Sequence, residues 1–174
     1  DRVIESGWLA VSSGKIADIG EGTAPERGED MRRDLVMPGL IELHTDHLEA
    51  HYVPRPKVYW DAVAAVVSYD GQLATSGITT VLDSLRVWRE DGAEEVDGQA
   101  NVLSAAIDKA RKADLLRADH FLHLRCEIPM PMVVEDTARL ASRPDVRLIS
   151  LMDHTPGQRQ FRDEEKVRTY YRGK

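Results

Sequence analysis

The chain has 174 residues, 42% of them hydrophobic, and a formal net charge of −7. Those values suit one globular domain or part of a larger one, and they exclude a disordered chain or a disulfide-stapled mini-protein. The acidic balance argues against a nucleic-acid or membrane-surface partner, which calls for a basic stripe, but it leaves room for a local basic pocket that reads an anionic metabolite.

Residues 3–20 read as two short strands around the Ser13-Gly14 turn, and the charged stretch 21–34 reads as a loop. "LVMPGLIELHTD" is a further β segment interrupted by Pro38-Gly39. "WDAVAAVVSYDGQLATSG" predicts a helix, with Asp61 as its cap and Gly77 where it should end. The β-branched run "ITTVLDSL" over 78–85 predicts a buried strand. A charged loop leads to an amphipathic helix in which Val102, Ala106, Ala110 and Ala113 recur at helical spacing. Strand 120–128, a short helix at "MVVEDTARLASR" and strand 146–154 follow, and the charged tail from Asp163 reads as helical.

From Leu40 onward the order is βαβαβαβ, which implies parallel strands with helical crossovers. The strands are nearly continuous apolar runs, as expected when both faces are covered. Cys126 is the sole cysteine, so no intrachain disulfide forms and a reducing cytoplasm is the expectation. No run approaches the roughly 18 apolar residues of a membrane span, and no signal-peptide pattern opens the chain. It begins at "DRVIESG" without methionine, so a missing start is expected.

Every strand from Leu40 onward gathers its polar residues at its C-terminal end: His44 and Asp46, then Asp83, then Glu127, then Asp153 and His154. In a parallel α/β fold those ends share one rim, where active sites are built. His44 and Asp46 are two apart, so on a strand they share a face. An imidazole and a carboxylate side by side can hold one divalent metal, with a salt-bridged pair as the alternative. Glu127 reads as a strand-end acid at the rim, with pairing to Arg125 or Arg89 as the alternative. Asp83 reads as an acid that orients a ligand. His154 is open between ligand, phosphate-binding group and packed loop histidine.

His47 and His51 are read as a solvated loop face, and His120 and His123 as structural, because they come too early on their strand to reach the rim. Cys126 is read as a small buried hydrophobe. Two basic loops, with Arg55 and Lys57 after the first of these strands and Arg159 and Arg162 after the last, could read phosphate oxygens. Neither a P-loop nor a GxGxxG motif occurs.

Pro-Gly, two apolar residues, an acid, an apolar residue and His-x-Asp, as in "PGLIELHTD", resembles the first barrel strand of the amidohydrolase superfamily. Together with "PRPKVYW", "SGITTVLD", "HLRCE", "SLMDHTPGQRQF" and "YYRGK", the likeness is closer to that superfamily's diphosphatases of the C–P lyase pathway and covers nearly the whole chain. The resemblance implies an α/β fold: part of a (β/α)8 TIM-type barrel over 36–174, preceded by an incomplete β-sandwich segment over 1–35. It implies a cytoplasmic enzyme that hydrolyses a small phosphorylated sugar phosphonate, α-D-ribose 1-methylphosphonate 5-triphosphate, to the 5-phosphate and pyrophosphate.

The implied cofactor is a divalent metal, zinc first, with manganese or iron open because Asp46 stands where the superfamily has a histidine. On this reading His44, Asp46 and Glu127 are ligands, Asp83 and His154 serve catalysis, and a homo-oligomer is an open expectation. Only four barrel-type strands can be counted, so the sequence is expected to be a portion of a longer polypeptide. The competing readings are a C–N hydrolase of the same superfamily, such as a deacetylase or cyclic amidase, and a non-catalytic fragment.

Overall fold

In the computed structural model, residues 2–88, 99–157 and 162–172 are described. The chain divides into two compact units, Asp1–Pro38 and Gly39–Lys174. In the first, β1 (Gly7–Ser12) and β2 (Lys15–Glu21) pair antiparallel. Ser13 and Gly14 both sit at positive φ, 51° and 73°, as a tight two-residue hairpin turn requires. A register shift between Ala10 and Val11 bends the ribbon.

The second unit runs β3 (Leu40–Thr45), α1 (His47–Tyr52), α2 (Ala62–Thr75), β4 (Ile78–Val87), α3 (Gln99–Lys112), β5 (Asp119–Glu127), α4 (Val133–Ala141), β6 (Val146–Met152) and α5 (Glu164–Arg172). Its four strands form one parallel sheet in the order β3-β4-β5-β6.

This architecture corrects the expected fold class. Among the described residues there is a four-stranded parallel sheet and a separate two-stranded antiparallel sheet, with neither an eight-stranded (β/α)8 barrel nor a sandwich. Strand–helix alternation specifies parallel pairing and crossovers, but closure needs the first and last strands to pair with each other. Here β3 and β6 are edges. A sandwich needs two sheets packed face to face, and β1 and β2 make one. The segment 47–52, read as a loop, is a helix.

Local signals set the elements that carry the site. The Asp61 carboxylate accepts from the Ala64 N–H at 2.9 Å and caps α2. At the other end Gly77, at φ 77°, turns the chain directly into β4. A Cβ at Gly39 would collide with the Thr79 side chain, so only glycine lets β3 begin this close to β4. The core lies on one face of the sheet. Val66, Tyr69 and Leu73 of α2 and Leu103, Ile107 and Ala110 of α3 pack on Val81, Leu85 and Val87 of β4 and on Leu122 and Leu124 of β5. Each large aliphatic side chain so buried contributes about 1.5–3 kcal/mol. The two edge strands are less well covered: Ile41 and Leu43 of β3 are 64% and 56% exposed, and Leu151 of β6 is 72% exposed.

Candidate active site

Alternation along β4 and β5 divides their side chains between two faces. Val81, Asp83, Leu85 and Val87, with His120, Leu122, Leu124 and Cys126, turn to the helices. Register partners Ser84 and His123, then Arg86 and Arg125, turn the other way, and Glu127 follows at the end of β5. His44 of β3 joins this second face, its ring edge-on to His123 at 4.9 Å between centroids. Toward the C-terminal ends of β4 and β5 this second face is polar.

His123 is buried there, and its ring is fully engaged. Nδ1–H donates to the Leu43 carbonyl at 3.0 Å, and Nε2 accepts from the Ser150 hydroxyl at 2.7 Å. Burial holds this imidazole below its usual range, so it is neutral at pH 7. His44 lies one residue before the end of β3, and its backbone N–H donates to Glu42 Oε1 at 2.9 Å.

Asp46 stands just past β3, at the N-cap position of α1, and makes no side-chain cap to that helix. Its Oδ2 instead accepts from Arg125 Nη1 at 2.9 Å. Arg125 Nη2 lies 3.8 Å from Glu49 Oε2. Burial pushes the Asp46 carboxyl up, but the Arg125 hydrogen bond and charge, a bond to its own backbone and the nearby His44 outweigh it and hold the group below the usual carboxylate range. Sequence reading missed His123 and Arg125 as members of this face. The available signal was the spacing 123, 125, 127, which puts three polar residues on one side of a strand.

Glu127 and His154 come together at the ends of β5 and β6. Glu127 Oε1 accepts from the His154 backbone N–H at 2.8 Å, and Oε2 accepts from its ring Nδ1 at 2.6 Å. Next to this pair, Asp153 Oδ1 accepts from the Thr155 N–H and hydroxyl, at 3.1 and 2.6 Å.

Asp83 is placed elsewhere. It is fully buried on the helix side, and its Oδ2 accepts from His120 Nδ1 at 2.8 Å. His120 Nε2 lies 3.3 Å from Asp70 Oδ1. The Asp70 carboxylate also accepts from the Arg117 and Ala118 backbone N–H groups and from the Arg117 guanidinium. Burial pushes Asp83 up and pushes His120 down, but the bonds and charges of two carboxylates outweigh burial for His120 and raise it. Burial also pushes Asp70 up, and its backbone donors more than offset that and hold it low. Cys126 is buried on the same side against the Thr137 hydroxyl at 3.1 Å, and burial raises its thiol.

Arg55 and Lys57 lie on the exposed loop after α1, where Arg55 and Val58 form an isolated bridge. Arg162 is exposed. Arg159 and Arg89 lie outside the described residues. A cavity of about 440 Å³ opens at the opposite rim, by the starts of β5 and β6. Its Arg111 is already bonded to Asp108 and to the His120 carbonyl, and its Arg147 stacks on Phe121, so it is not the place where the strand-end residues converge.

A divalent ion asks for about four donors around one point. Among the described residues no three His, Cys, Asp or Glu side chains are so grouped. His44 and Asp46 supply an imidazole and a carboxylate, donor types that suit such an ion, at one strand end, and Asp46 Oδ2 is engaged by Arg125.

No protein-family model matches the chain, and no solved structure matches it. A curated protein of Escherichia coli (strain K12), alpha-D-ribose 1-methylphosphonate 5-triphosphate diphosphatase, is 43% identical over 177 aligned positions, which take in all of this chain and 46% of the relative. The chain therefore spans about half the length of a curated diphosphatase that it resembles from end to end.

Proposed function

We propose that this chain forms part of a hydrolase that splits a phosphoanhydride bond of α-D-ribose 1-methylphosphonate 5-triphosphate. Water adds to phosphorus, the bond between the first and second phosphates breaks, and the 5-phosphate and pyrophosphate leave. The observation that carries this reading is 43% identity over the entire chain to a diphosphatase of that name. Nothing in the comparisons favours C–N hydrolysis.

A divalent metal, zinc, manganese or iron, belongs to the proposal, with His44 and Asp46 as its holders and Glu127 as a further carboxylate at the same rim. Such an ion, when bound, polarises a phosphoryl oxygen and acidifies water. The chain's own groups do the rest. Arg55, Lys57, Arg159 and Arg162 offset the charge of the phosphates, and the pairing of His154 with Glu127 fixes which ring nitrogen carries a proton. Membership of the amidohydrolase superfamily and cytoplasmic residence go with this reading. A free, buried Cys126 fits a reducing compartment. Among the described residues no helix is long and apolar enough to cross a membrane.

The test is pyrophosphate release from the ribose triphosphate by the full chain, with metal content measured alongside. His44→Ala and Asp46→Ala are expected to keep the fold and to lower turnover by about 10²–10⁴-fold. Wild-type turnover in both variants would overturn the assignment of these two residues.

A further inference from the structure

We propose that Arg125 is a positioning residue for this site. Its buried guanidinium clamps Asp46 and Glu49 and so fixes the turn from β3 to α1 that presents His44 and Asp46. The inference rests on the reading above that those two residues face the reaction.

Four observations point to the clamp. Arg125 is 6% exposed, and burying a guanidinium carries a desolvation cost that a packed apolar residue would avoid. Its Nε–H is buried without a partner among the described residues, a further cost. Stability alone therefore does not account for this residue at this place. Second, the fork reaches two acids on successive parts of one short segment, Asp46 at 2.9 Å and Glu49 at 3.8 Å. Third, Glu49 is strapped again from β4, where the Arg86 backbone N–H donates to its Oε1 at 3.2 Å. The segment is thus tied to two strands, by the Arg125 side chain of β5, which alone of the two reaches Asp46, and by the Arg86 backbone N–H and guanidinium of β4 on Glu49.

The fourth observation is a local rule broken. Asp at an N-cap normally accepts from the helix's own first N–H groups, at a gain of about 1 kcal/mol. Asp46 forgoes that bond and gives its carboxylate to Arg125. α1 has only six residues, far too few to hold itself in water. What a cap would have supplied locally is replaced by an anchor across the sheet, and an anchor sets position as well as stability. Departures of this kind concentrate at functional sites.

The experiment compares the full chain with Arg125→Met and Arg125→Lys. It reads amide hydrogen exchange along the chain and steady-state pyrophosphate release from the ribose triphosphate with divalent metal supplied. For Arg125→Met, exchange in α1 is expected to speed up about tenfold relative to α2. kcat should fall about 10²-fold with KM within about twofold of wild type. Arg125→Lys, which keeps the charge but not the fork, should recover part of kcat.

Unchanged α1 exchange in a folded Arg125→Met would overturn the clamp. So would a raised KM at wild-type kcat, because Arg125 would then bind substrate directly. If the complete protein that carries these residues releases no pyrophosphate, the proposed reaction fails, and the exchange measurement still decides the clamp. Should Arg125→Met not fold, Glu49→Gln decides. An α1 exchange rate raised about threefold supports the clamp, and an unchanged rate overturns it.

Discussion

His120 and His123 stand three residues apart on β5 and turn to opposite faces of the sheet. On the helix-covered face, His120 lies between the carboxylates of Asp83 and Asp70, which raise its affinity for a proton. On the polar face, His123 lies between a carbonyl and a hydroxyl, and burial keeps it neutral. One residue type thus serves as a link between buried acids on one side and as a neutral hydrogen-bonding ring beside His44 on the other. Residue type and position near a strand end do not separate the two roles. The parity of the residue along the strand, and the partners which that parity delivers, do.

The comparison can be broken first at its heaviest point. His120→Gln removes the imidazole between two buried carboxylates, so that Asp83 loses the donor to its Oδ2 while Asp70 keeps the Arg117 guanidinium, and it is expected to cost about 3–5 kcal/mol of unfolding free energy by urea titration. A loss below about 1 kcal/mol would mean that the buried trio is not held by charge. On the other face, His44→Ala should move turnover and leave the urea midpoint almost unchanged.

A smaller effect follows from protonation. The folded pKa of His120 lies above its unfolded value of about 6.5, so the stability it contributes is complete below that pH and is lost as pH rises through the folded value. Asp70, held low in the fold, works in the opposite sense: its contribution is complete above about pH 4 and is lost as pH falls through the folded value. Wild-type stability should therefore decline on the alkaline side more steeply than that of His120→Gln. The groups around the imidazole are Tyr69 and Asp70 of α2 and Asp83 of β4, with Arg117 on Asp70 and Arg111 of α3 donating to the His120 carbonyl. Equal slopes in the two proteins would sink the linkage.

Two lighter substitutions sharpen the contrast. Asp61→Ala removes the cap of α2, the helix that brings Asp70 to His120, and should cost about 1 kcal/mol with no change in kcat. Ser150→Ala removes one neutral hydrogen bond from His123 and should cost about 0.5–1.5 kcal/mol, seen as a small shift in melting temperature.

Much of the element order was legible because local chemistry dictated it. Asp61, Gly77 and the Ser13-Gly14 turn sit where their backbone roles require, and the apolar runs became strands of a parallel sheet. Pairing between distant strands was less legible. Nothing local to "LVMPGLIELHTD" says whether its strand will meet a partner on both sides, and in the structure β3 is an edge.

The candidate site was legible in one respect: His44 and Asp46, two apart in sequence, both lie at the end of one strand. It was read poorly where a side chain acts across the sheet. Arg125 reaches back 79 positions to Asp46, and Asp83 turns to His120 at a separation of 37. The same alternation that exposes one set of polar groups hides the next, and β4 carries Asp83 to the hidden side.

The two bare flanks of the sheet have a practical consequence. Among the described residues β3 and β6 are the outer strands of the sheet and carry the exposed Ile41, Leu43 and Leu151, a combination that invites strands of other molecules to add on. A lysine at Leu151 is expected to slow such strand addition, read as lower light scattering when residues 1–174 are concentrated.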